Sequence, residues 1–133
     1  MMLSDVRDYI ESLGISENVY MGKMDAKKDK SIGVYNSKHE RAYKTAIGGD
    51  GLKSYDIKNI TLLVHWNKSL RDTEQATTEL FDAVKKTREV TVNDVIIKFI
   101  QPLYDPQDVG TDDDDICEMV IEVAIIYERK GKH

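Results

Sequence analysis

The run of residues 116–127 most constrains how this chain can fold. Read at period two, Cys117, Met119, Ile121, Val123, Ile125 and Tyr127 share one face without a polar interruption. Glu118, Glu122 and Glu128 share the other, interleaved with Val120, Ala124 and Ile126. Side chains of a strand alternate between faces, so the run reads as a long strand with one fully buried side. At a rise of roughly 3.3 Å per residue it reaches about 40 Å. Apolar residues among the carboxylates imply that something partly covers the second face too.

A second run, residues 55–66, places Lys58, Ile60, Leu62, Val64 and Trp66 on one side and Ile57, Asn59, Thr61, Leu63 and His65 on the other. Both sides are half apolar, the pattern of a central strand covered on each face.

Two segments carry helical spacing instead. In residues 4–13, Val6, Ile10 and Leu13 stand at i, i+4 and i+7, Ser4 is positioned as a cap, and Gly14 offers a left-handed stop. In residues 69–87, Ala76, Leu80, Ala83, Val84 and Thr87 form an inward stripe, with Phe81 beside it. Ser69 or Asp72 caps its start, and Lys85, Lys86 and Arg88 suit the negative end of its dipole.

Weaker strand signals occupy residues 19–24 and 31–35, with the polar stretch 25–30 between them as a hairpin tip. Residues 89–92 and 95–101 read as a further pair around a tight Asn93-Asp94 turn, closed by Pro102. Two long loops remain, 36–54 and 102–115. The order helix, strands, helix, strands predicts one α+β domain over residues 1–133. Its sheet is expected to be largely antiparallel or mixed, with both helices packed on one face.

Composition narrows the function. Lys and Arg total 19 and Asp and Glu 24, a net charge of −5, which argues against general binding to a phosphate backbone. The single cysteine, Cys117, permits no internal disulfide and suits a reducing compartment. No basic-then-apolar leader stands at the start, and no window approaches the roughly 18 apolar residues of a membrane span.

The residue patterns point away from catalysis. Gly48-Gly49-Asp50-Gly51-Leu52-Lys53-Ser54 departs from a phosphate-binding loop because Leu52 separates Gly from Lys and a strand follows. Asp112 to Asp115 are consecutive, without the alternate ligands, central Gly and distant Glu of a calcium loop, and read as a solvated acidic tip. His39, His65 and Cys117 lack metal-ligand spacing; His65 reads as a partly buried structural histidine and Cys117 as a small core hydrophobe. No nucleophile–base arrangement stands out. No enzyme activity, cofactor or metal is therefore expected.

The element order, with Leu63-Val64-His65-Trp66-Asn67-Lys68-Ser69 joining the second strand to the acid-capped helix, resembles that of minor capsid proteins of tailed phages and prophages, close to the tail terminator group. The resemblance covers nearly the whole chain and carries no active-site residue. It implies a tail terminator-like fold and a subunit of a ring, typically hexameric, on the head-proximal end of a phage tail tube. Such a ring stops tube polymerisation and meets the head connector. The protein would assemble in the host cytoplasm and reside in the virion, with DNA only passing through the ring.

On that reading, loop 38–51, with Lys38, Arg41, Tyr43, Lys44 and Asp50, is the first candidate for subunit or tube contacts. Glu122 and Ile126 on the mixed face of the last strand are further interface candidates, and Asp112, Asp113, Asp114 and Asp115 are candidate lumen lining. The alternatives are a head–tail connector or tube subunit, or a nucleic-acid-binding module using a basic hairpin from Lys23 to Lys30, near Tyr20 and Tyr35.

Overall fold

The long alternating run forms β7 (Cys117–Arg129), 13 residues in length, in a computed structural model that describes residues 1–22, 28–37 and 55–129. Before it come α1 (Leu3–Ser12), β1 (Asn18–Met21), β2 (Ser31–Asn36), β3 (Asp56–His65), α2 (Leu70–Lys85), β4 (Arg88–Val92), β5 (Val95–Pro102) and β6 (Gln107–Thr111). The strands make one sheet in the order β1-β2-β3-β7-β5-β4, with β6 also paired to β7. Only β1 and β2 run parallel among the described pairs, so the fold is α+β with a mixed, mostly antiparallel sheet.

β7 is long because both its edges are filled. Along one edge β3 pairs with it from Asp56↔Tyr127 to His65↔Glu118. The other edge is shared: β5 takes its C-terminal part, up to Pro102↔Val123, and β6 its N-terminal part, from Gln107↔Val120. β5 and β6 thus form one extended strand, interrupted where residues 103–106 stand opposite only Ile121 and Glu122. The Leu103 N–H still bonds the Glu122 carbonyl at 2.9 Å across the interruption.

The sequence predicts loop throughout residues 102–115, and β6 corrects that. Gln-Asp-Val-Gly-Thr is exposed at every position, so no hydrophobic period announces it. It becomes a strand because the backbone groups on that edge of β7 need partners.

The pairing of β1 with β2 is a second correction. A hairpin would make them antiparallel, whereas the register Asn18↔Ser31 to Met21↔Val34 is parallel. Gly22 leaves β1 at φ +76°, a conformation suited to glycine, while its N–H bonds Val34 O at 2.9 Å. Parallel pairing sets Val19 beside Ile32, and both are buried in the core. β1 and β2 therefore do not pair as the two arms of the expected hairpin; Lys28 and Lys30 are exposed, and Lys23 and Lys27 lie outside the described residues.

Both helices cover the same face. Val6, Tyr9 and Ile10 of α1 and Leu80 and Val84 of α2 join one buried cluster with Ile32, Val34, Ile60, Leu62, Val64, Ile97, Ile121, Val123 and Ile125. The stripe of α2 also includes Thr73 and Thr77, buried because their hydroxyls bond Ser69 O (2.9 Å) and Thr73 O (2.7 Å), leaving the methyls to pack.

The caps differ in one respect from expectation. Ser69 caps α2, accepting from the Asp72 N–H at 3.2 Å. Met2 rather than Ser4 is the N-cap of α1, and its N–H donates to the Asp5 carboxylate at 2.8 Å. Ser4 lies two residues past the cap position, and Asp5 at the third helical position is the acid that reaches back.

Candidate functional site

The second face of the sheet carries no helix among the described residues. Cross-strand register arranges it in rows: Tyr35, Thr61 and Glu122; Gly33, Leu63, Val120 and Gln107; Ser31, His65, Glu118 and Gly110. A groove of about 470 Å³ crosses it, lined among the described residues by Tyr35, Thr61, Tyr104, Val109, Val120 and Glu122. Glu122 is 7% exposed, and its carboxylate accepts a bond from Ser37 Oγ at 3.0 Å. A buried carboxylate needs such donors to offset lost hydration.

Ile126 stands opposite Ile57 on one side and Phe99 on the other and is also buried, at 4% exposure. Both expected face residues are therefore on the mixed face, but neither is free surface. The accessible apolar groups lie beside them along the interrupted β5–β6 strand. Phe99 is 37% exposed, Tyr104 41% and Val109 51%. Sequence reading missed this line because Tyr104 and Val109 lie in a stretch without strand periodicity.

The four aspartates form the turn between β6 and β7. Asp112 Oδ1 accepts from the N–H groups of Asp114 (2.8 Å) and Ile116 (2.9 Å), while Asp112 N–H bonds Ile116 O at 3.0 Å. Asp115 takes φ +67° to close the loop. Asp113, Asp114 and Asp115 are exposed; Asp112 is half-buried and turns inward.

Its neighbour there is His65, 1% exposed at the end of β3. His65 Nδ1 lies 2.9 Å from Glu118 Oε2, and Nε2 lies 3.7 Å from Asp112 Oδ2. Burial works against charge on Asp112, but the N–H groups of Ile116 and Asp114 and the neighbouring His65 outweigh it and hold the carboxyl below its ordinary pKa. Cys117, next in the chain, is buried with a free thiol.

Lys38, Arg41, Tyr43, Lys44 and Asp50 lie outside the described residues. No described helix is long and apolar enough to cross a membrane.

These features define an α+β protein with one sheet face under two helices and a second bearing a groove and an apolar rim. The chain belongs to the bacteriophage tail terminator protein family, whose model matches residues 5–129. No curated protein sequence is matched.

Proposed function

We propose that this protein is a non-enzymatic subunit of a ring that caps the phage tail tube at its head-proximal end, stops tube polymerisation and joins the tail to the head. The observation that carries the reading is the family match, which spans all but the ends of the chain. The geometry supports it: Phe99 of β5, Tyr104 in the interruption and Val109 of β6 form an exposed apolar line beside the buried mixed face. A closed ring needs such heterologous side-to-side contacts. A homo-oligomer, typically a hexamer, would bury this rim, with the tail tube protein and a head–tail connector protein as its axial partners.

In this ring the exposed carboxylates of Asp113, Asp114 and Asp115 are the candidate lumen lining, repelling DNA as it passes. Asp112 is committed to the turn and to His65, which leaves it a smaller part in any lining. Residues 38–51 remain a proposed contact for subunit or tube.

Adding purified protein to its polymerising tail tube protein tests the proposal. Tubes that stop growing and show one capped end by negative-stain imaging support it. A strictly monomeric protein that neither caps nor binds tubes overturns it, and open co-polymerisation would identify a tube subunit instead.

A further inference from the structure

We propose that His65, Asp112 and Glu118 form a site for a divalent transition-metal cation of the zinc type, with His65 Nε2 and Asp112 Oδ2 as ligands and Glu118 orienting the imidazole. The inference rests on this chain's own geometry and is independent of the ring reading.

Glu118 accepts only, so the 2.9 Å contact puts a proton on His65 Nδ1. In a neutral ring the other nitrogen then presents a lone pair. That atom, Nε2, is buried without a hydrogen-bond partner, and it faces a carboxylate oxygen at 3.7 Å. Two acceptors turned toward each other, one of them fully buried, call for a cation between them.

The candidate ligand atoms fit that purpose. All three side chains offer donor atoms within 4.8 Å of one another. Zinc bonds to imidazole nitrogen and carboxylate oxygen at about 2.0–2.2 Å, which places two ligands of a tetrahedral ion roughly 3.4 Å apart. The observed 3.7 Å needs a shift of only a few tenths of an ångström.

The surroundings hold the donors in place. Asp112 Oδ1 is occupied by two backbone N–H groups of the turn, which leaves Oδ2 aimed at the ring. A carboxylate on the far nitrogen of a ligating histidine is the common outer support of metal sites, because it fixes the tautomer and the ring plane. The side chains of Asp112 and Glu118 are 19% and 20% exposed, so the site opens to water, which would complete the coordination. A mixed nitrogen and oxygen set favours zinc, nickel or cobalt over calcium or magnesium, which prefer oxygen alone. Bound there, the ion would pin the β6–β7 turn to the end of β3.

The competitor is a proton on Nε2, giving an imidazolium between two carboxylates. Full-length protein stripped with a chelator and titrated with zinc at about pH 8, where an imidazole free in solution is neutral, separates the two. Calorimetry should show one equivalent bound, cobalt(II) should give a visible ligand-field spectrum, and the Nε2 ¹⁵N resonance of His65 should move to a metal-bound position. Asp112→Asn keeps an acceptor for the turn and is the decisive variant, because it sits at the rim. It should abolish saturable binding. Glu118→Gln should weaken binding about 10–100-fold, and replacing Asp113, Asp114 and Asp115 together by Asn should leave it intact. Absence of zinc binding, an unmoved His65 resonance, or full binding by Asp112→Asn would overturn the proposal.

Discussion

The phenol of Tyr9 and the hydroxyl of Thr87, 78 residues apart in the chain, are hydrogen-bonded in the core, tying α1 to the end of α2. Thr87 Oγ1 also donates to Ala83 O at 3.0 Å. With its single proton so used, the hydroxyl accepts from Tyr9. Tyr9→Phe then removes one buried bond but leaves Thr87 its other partner, and should cost about 0.5–1.5 kcal/mol by urea denaturation.

The same pair has a pH signature. Burial raises the Tyr9 pKa above its ordinary value, because the charged phenolate would lose its hydration. A raised folded-state pKa gives stability that is full below the unfolded value of about 10 and is lost as pH rises through the folded value. Above about pH 10, wild type should therefore lose stability more steeply than Tyr9→Phe. Parallel curves would show that Tyr9 ionisation does not govern this limb.

Asp112 has the opposite sign. Its carboxyl is held below its ordinary pKa, so its contribution is present above the unfolded value of about 3.9 and is lost as pH falls through the folded value. Asp112→Asn should flatten the acid limb of stability below about pH 4. A limb unchanged by the substitution would contradict the role of the turn.

Leu80 is fully buried where α2 meets the sheet. Leu80→Ala should cost about 2–5 kcal/mol through lost transfer energy and the cavity left behind. Ser69→Ala, which removes only the α2 cap, should cost about 1 kcal/mol. Thermal or urea unfolding measures both, and the order of the two effects is the firmer expectation.

Replacing Phe99, Tyr104 and Val109 by Ser tests the apolar rim. Each residue is more than one-third exposed, so each substitution should cost less monomer stability than Leu80→Ala. Assembly should suffer far more: rings or tube capping should fail although the circular dichroism spectrum is retained. A triple variant that caps tubes normally would move the contact elsewhere.

Much of this architecture is legible in the residues because its signals are local. The alternation in 116–127 and 55–66 predicts two long strands, with Ile121 and Leu62 on apolar faces opposite Glu122 and Thr61; that the two strands are neighbours emerges only in the fold. The stripe through Leu80 and Val84 predicts which side of α2 is buried. These follow from periods of two and 3.6, which any short window displays.

Only the tertiary structure decided the rest, because it depends on partners distant in sequence. β1 and β2 pair parallel although a polar stretch between two short strands reads as a hairpin. β6 exists because β7 has an edge to fill beyond Pro102, a need nothing in Gln107–Thr111 advertises. His65 and Glu118 lie 53 residues apart, and antiparallel register alone makes them neighbours. The mixed face of the long strand was visible from its carboxylates and aliphatics; which of its residues stay accessible depended on how the chain folded back across it.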